Sequence, residues 1–269
     1  MALKDITLGQ YFPGKSVVHR LDPRTKLLAV VLYIAGLFLA GGFVTYAVMF
    51  AVLALSIAVS GVPVKSIVRG MKPVLFIVVF TAALNIFYTQ GSTVLARFWI
   101  FTVTLEGVVR AFFMVARIML LISGTFLLTY TTSPIHLTDG LESLLSPLKR
   151  LSVPVHELAM MMSIALRFIP TLIEETDKIM SAQRARGADY ESGGLIRRAR
   201  ALLPLLVPLF ISAFRRADEL ATAMECRCYH GGEGRTRLRQ LKYQTRDYVT
   251  LFLFLAIAVG VGVLGHFGL

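Results

Sequence analysis

The sequence predicts an all-α integral membrane protein of about five transmembrane helices, with long amphipathic coupling helices on the cytoplasmic side. Three observations carry this expectation. Only 16% of the 269 residues are charged and 56% are hydrophobic, whereas a soluble domain carries about a quarter charged residues; mean hydropathy is +0.70. Uncharged runs of 38, 24 and 22 residues begin at Leu27, Pro73 and Tyr248, and roughly 20 apolar residues are enough to cross the hydrocarbon core. Basic residues are also segregated: 24 of the 28 Lys and Arg fall within residues 1–26, 61–73 and 132–245.

The elements follow in chain order. Asp22 before Pro23 reads as an N-cap with proline at the first helical position. The run from Leu27 to Val64 is too long for one span, and Gly41-Gly42 divides it into spans at about 27–40 and 43–61. A third span is expected at about 73–89, followed from Gln90 by a loop holding Arg97, Trp99 and Phe101, residues suited to a membrane–water interface. A fourth covers about 105–130 and stops at Thr131-Thr-Ser-Pro134, because the residue before proline is pushed out of the helical region. The last occupies 246–269. Residues 1–131 thus form a membrane domain and 132–245 a cytoplasmic coupling-helix domain, with one further span after it. The basic segments place the N-terminus in the cytoplasm and the C-terminus outside. With Asp5 and no apolar core before Leu27, no cleavable signal peptide is expected.

No clean span is expected between 132 and 245, where the uncharged runs 158–166 and 201–214 have the length of buried or interfacial helices. From Pro154 to Ala185 apolar residues recur at helical spacing while charges gather in the second half, at Glu174, Glu175, Asp177, Lys178 and Arg184. Such a helix would slide along the membrane surface and then leave it. Gly187 supplies a stop, and residues 191–194 a turn. A second helix runs from about Leu195 to Tyr229, kinked by Pro204 and Pro208.

Both helices finish on the same signature. Ser181-Ala-Gln-Arg-Ala-Arg-Gly-Ala-Asp-Tyr190 is echoed 41 residues later by Thr222-Ala-Met-Glu-Cys-Arg-Cys-Tyr-His-Gly231. Arg186 stands between Ala185 and Gly187, and Arg227 between Cys226 and Cys228. An arginine flanked by small side chains presents its planar fork unobstructed, ready for bidentate contact with a carboxylate. A plainer alternative is a pair of cations favoured by the helix dipole, but duplication argues for two similar partners.

Other polar features yield less. Cys226 and Cys228 lack a nearby ligand pair and make no metal or redox site. His156 and Glu157 are sequence neighbours on different helix faces. Glu106 can pair with Arg110, while Arg117 lies deeper, where a cation faces protein or water; bracing, partner contact and a substrate path all remain open for it. Gly231-Gly-Glu-Gly234 lacks the spacing of a phosphate loop and follows a helix instead of a strand.

Leu21-Asp-Pro-Arg-Thr-Lys26, Ala185-Arg-Gly187, Pro204-Leu-Leu-Val-Pro208 and Ala223-Met-Glu-Cys-Arg-Cys-Tyr229, in this order and spacing, resemble the transmembrane coupling (T) component of energy-coupling factor transporters, the modular ABC importers of prokaryotes. The second tip departs from the family pattern, with Cys228 where Gly is common. The resemblance implies a multi-pass plasma-membrane subunit without catalytic residues, working with two ABC ATPases and a membrane-embedded substrate-binding subunit for a vitamin or other micronutrient. ATP and Mg would be bound by the ATPases; this chain would bind no cofactor, metal or nucleic acid. Arg186 and Arg227 would be the ATPase contacts, with Ala185, Gly187, Cys226 and Cys228 allowing close approach. Met160, Met161, Met162, Leu202, Leu205, Leu206 and Leu209 would meet the substrate-binding subunit, and Asp22, Pro23, Pro204, Pro208 and Arg117 would be structural. A stand-alone transporter or channel would instead distribute ionisable groups through several spans, and a lipid-modifying enzyme would converge His, Asp or Glu at the interface. Neither pattern is present.

Overall fold

The computed structural model describes residues 11–89, 93–98, 101–188, 194–231 and 240–267. In chain order the elements are α1 (Pro23–Leu39), α2 (Phe43–Ser60), α3 (Val64–Tyr88), β1 (Val94–Phe98), β2 (Phe101–Thr104), α4 (Leu105–Thr131), α5 (Pro134–Leu145), a 3₁₀ turn (Ser146–Leu151), α6 (Val155–Ala185), α7 (Leu195–Glu225) and α8 (Thr245–His266). Contacts divide the chain into two compact units, one of Gly9–Leu141 with Leu241–Leu269 and one holding Glu142–Gln240.

Among the described residues five helices are long and apolar enough to cross a membrane: α2, α3, α4, α6 and α8. The all-α membrane architecture therefore stands, with one addition and one near miss. α6 qualifies through a window of mean hydropathy 1.3, which the sequence disguises because Glu157 and Arg167 interrupt its apolar run. α1, at 17 residues, is just short of a full crossing, as about 1.5 Å of rise per residue gives only about 26 Å. One local expectation is corrected and another extended. The loop after Gln90 contains an antiparallel hairpin pairing Phe98 with Phe101 and Arg97 with Thr102. Ser133-Pro134 not only ends α4 but starts α5, since the His136 N–H donates to Ser133 Oγ at 3.4 Å and proline is tolerated at a first helical turn. Trp99 and the 191–193 part of the expected turn lie outside the described residues.

In the first unit α1 lies against α8 and α4, α2 against α4, and α3 against α4. Tyr33, Leu37, Tyr46, Met49, Leu120 and Val261 form the main buried cluster. Without water to reward burial, helices in lipid associate by close packing at small residues. An ideal Cβ on Gly124 would sit 2.8 Å from the Tyr33 ring, and one on Gly265 only 2.6 Å from the Leu39 carbonyl oxygen.

A polar staple fixes the α1 and α8 starts. Asp22 caps α1 by accepting the Arg24 N–H at 2.9 Å, with Pro23 next. The buried Asp247 carboxylate accepts the Asp22 N–H at 2.9 Å and the Gln244 N–H at 2.8 Å. Arg24 donates to the Leu241 carbonyl at 2.7 Å and lies 4.6 Å from the Tyr243 ring centre. Lys26 Nζ donates to the Thr131 carbonyl at 2.9 Å, tying the α4 end to the same knot.

In the second unit α6 and α7 have 31 residues each, about 46 Å of helix apiece. They touch over a short stretch, linked by Arg216 Nη2 to Glu175 Oε2 at 3.0 Å.

Candidate partner-docking site

The two helix ends adopt one backbone geometry. At the α6 end the Gly187 N–H bonds the Arg184 carbonyl at 2.9 Å and the Ala188 N–H bonds the Gln183 carbonyl at 3.0 Å. At the α7 end the Cys228 N–H bonds the Glu225 carbonyl at 2.8 Å and the Tyr229 N–H bonds the Met224 carbonyl at 3.1 Å. Each pair has the crossed pattern of a Schellman ending, which satisfies carbonyls that a helix terminus otherwise leaves open. The motif needs a left-handed residue immediately after the arginine, and Gly187 has φ +87° and Cys228 φ +55°. Cysteine thus takes the conformation that glycine takes in the other copy, against its own steric preference. Arg186 and Arg227 are both exposed, as are Ala185, Gly187, Cys226 and Cys228; the two thiols are free.

Of the remaining singled-out residues, Met161 and Met162 are exposed while Met160 is half-buried. Leu202 and Leu206 are exposed, Leu209 is half-buried, and Leu205 is buried at 4% exposure. Leu205 is therefore absent from the outward face of α7. That face instead carries Leu203, Val207, Phe210 and Phe214, a stripe at helical spacing that the leucines alone do not separate from the inward one. α7 runs through both Pro204 and Pro208.

Arg117 is a junction of three helices. Its Nε donates to Tyr46 Oη at 2.8 Å and its Nη2 to the Ala40 carbonyl at 3.2 Å, beyond the α1 end; Phe38 and Tyr46 flank the guanidinium. Glu106 Oε1 accepts the Thr93 N–H at 3.3 Å. His156 pairs not with its neighbour but with Glu142, Nδ1 to Oε1 at 2.9 Å, a partner 14 residues away that adjacency in sequence hides.

A phosphate-loop spacing does occur elsewhere in the chain. Gly9-Gln-Tyr-Phe-Pro-Gly-Lys-Ser16 has the letter pattern of such a loop, which functions only between a strand and a helix. Here residues 11–15 are irregular, the first helix starts only at Pro23, and Ser16 Oγ is bonded to His19 Nδ1 at 2.7 Å. Among the described residues no group of three or more His, Cys, Asp or Glu could hold a metal ion.

The fold and these ends define a class: a multi-pass membrane protein presenting two like, arginine-bearing helix termini. Residues 14–238 match the family model CbiQ, described as cobalt transport protein. The chain is 56% identical over 248 residues to the energy-coupling factor transporter transmembrane protein EcfT of Clostridium kluyveri, covering 92% of each. It is 54% identical to the protein of the same name from Ruminiclostridium cellulolyticum, with 91% of each chain covered. The Bacillus subtilis protein of that name is 50% identical, over 91% of this chain and 92% of the relative. The chain belongs to this family, as the transmembrane T component of an energy-coupling factor transporter. It is a multi-pass protein of the bacterial plasma membrane.

Proposed function

We propose that the chain couples two ABC ATPases to a separate, membrane-embedded substrate-binding subunit of an importer. The observation that carries this reading is the identity of the two helix endings, each holding an exposed arginine on a left-handed turn. Two like tips suit two like grooves, and the arginine fork suits a carboxylate within each groove. ATP and Mg reside on the ATPases, and closure of the ATPase pair moves both tips. Helices 31 residues long transmit that motion as near-rigid levers, because packed elements shift instead of compressing. Their upper apolar surface, Met161 and Met162 with the outward stripe of α7, meets the substrate-binding subunit, for which flexible methionines are apt. The N-terminus and the tips lie in the cytoplasm and the C-terminus outside. The cargo is a vitamin or other micronutrient; the matched family's description names cobalt.

The test is Arg186→Glu with Arg227→Glu, assayed by co-purification of the ATPases and by substrate uptake. Loss of charge-assisted contacts at both tips should weaken ATPase retention by at least about tenfold and abolish uptake. Unchanged retention and uptake in the double variant would overturn the assignment.

A further inference from the structure

In the membrane unit, α1, α2, α4 and α8, with the turn before α1, line a cavity of about 210 Å³. An apolar cavity of about 150 Å³ already admits benzene. The deep wall is buried and apolar, at Ala29, Tyr33, Leu53 and Leu127. The rim is apolar but exposed, at Val17, Leu55 and Val59. Along α1 the lining runs from Lys26 to Tyr33 and along α4 from Gly124 to Thr131, about 10 Å of helix in each. The hydroxyls that line it offer little to water: Ser56, Thr131 and Thr250 each donate to a carbonyl of their own helix.

One end of the cavity carries a charge. Lys26 lines it and is only 6% exposed. Its ammonium donates to the His19 carbonyl at 3.3 Å and the Thr131 carbonyl at 2.9 Å. An ammonium has three donors, so one lacks an acceptor among the described residues. No carboxylate among them pairs with it directly. Asp22 and Asp247 act on it only through space: Asp22 is paired with Arg24 at 3.3 Å, and Asp247 is occupied by two N–H groups. A buried cation without a direct counter-ion is costly, and an anion that enters beside it relieves that cost.

The cavity lies where α1 and α8 begin and α4 stops, the end that the basic segments assign to the cytoplasm. Lys15 and Arg20 are exposed on the stretch just before α1. A hydrocarbon-lined cavity open to a bilayer fills with hydrocarbon, because water finds no polar partners there and a void forfeits dispersion contacts. Basic pockets between helices on the cytoplasmic side suit anionic headgroups. We propose that this cavity holds one acyl chain of an anionic phospholipid of the cytoplasmic leaflet, its phosphate accepting the remaining Lys26 proton within the field of Lys15 and Arg20. The site is independent of the coupling function proposed above. It gives a ligand to the last residue of Leu21-Asp-Pro-Arg-Thr-Lys26, which otherwise only ties helix ends together.

The experiment takes the full-length chain from nanodiscs of phosphatidylglycerol and phosphatidylcholine with identical acyl chains, and reads bound lipid by native mass spectrometry. The native chain should retain one phosphatidylglycerol in preference to phosphatidylcholine. Ser56→Phe, which fills the cavity, should lower that adduct about tenfold, the scale of a lost charge-assisted contact. Ser56→Leu, a smaller fill, should give an intermediate loss and reads the site even if the larger ring prevents folding. Ala54→Phe puts the same ring on an exposed position of α2 outside the lining and should change nothing. Lys26→Met keeps the stem but removes the ammonium, and should erase the preference for phosphatidylglycerol. Equal retention of the two lipids by the native chain overturns the proposal, as does an adduct that survives both Ser56 variants or falls equally in Ala54→Phe. A preference that persists in Lys26→Met would leave Lys26 a cap on α4 alone and overturn the headgroup assignment.

Discussion

Cys228→Gly should strengthen the α7 tip. At φ +55° the cysteine Cβ crowds the backbone, a cost of about 1–2 kcal/mol for an L-residue held left-handed. Glycine removes that crowding but loses more freedom on ordering, which returns about 0.5–1 kcal/mol. The side chain is exposed, so little packing is lost, and the net gain should be about 0.5–1 kcal/mol. Local opening of the last turn should then fall by about two- to fivefold. Hydrogen exchange at the amides of residues 228 and 229 reads this directly, because those two N–H groups make the bonds to Glu225 and Met224. Cys228→Val should move exchange the other way, since a β-branched residue is least tolerant of positive φ. Gly187→Ala is the matching control in the α6 copy at φ +87° and should raise exchange at Gln183-bonded Ala188 by roughly the amount that Cys228→Gly lowers it at Tyr229. Slower exchange in Cys228→Val than in Cys228→Gly would refute the reasoning, since it would mean the left-handed turn does not govern the tip.

Two further outcomes concern the membrane unit. Asp247→Ala leaves the Asp22 and Gln244 N–H groups without their acceptor, and should cost about 2–4 kcal/mol at roughly one to two per buried donor; Asp247→Asn keeps a single acceptor oxygen and should cost about half, so thermal unfolding in detergent should rank wild type, Asn, Ala. Gly265→Ala drives a Cβ to 2.6 Å from the Leu39 carbonyl, a backbone atom that cannot rotate away, and should lower stability by about 1–3 kcal/mol, whereas Ala at Gly260, which has open space, should be neutral in the same melt.

What the sequence made legible was whatever depends on local chemistry. Charge-free runs marked spans because lipid excludes unpaired charge along the chain itself. Asp22-Pro23 marked a helix start because capping is satisfied within a few residues. Gly187 marked a helix stop for the same local reason. The misses share the opposite property. The hairpin after Gln90 depends on pairing across a turn, and α5 hid because Ser-Pro reads equally well as an end and as a start. The role of Asp247 requires Asp22, 225 residues away, and Arg117 requires Ala40 and Tyr46. None of these partners is implied by composition or period.

The 41-residue echo lies between these cases. Its tips were legible because both copies kept the same solution to the same local problem, an arginine before a left-handed turn. The ion pair between α6 and α7 was not, because Glu175 and Arg216 are far apart in the chain and neither residue's local sequence names the other. Cys228 could replace glycine without erasing the tip because the constraint is on backbone conformation, which cysteine meets at an energetic cost.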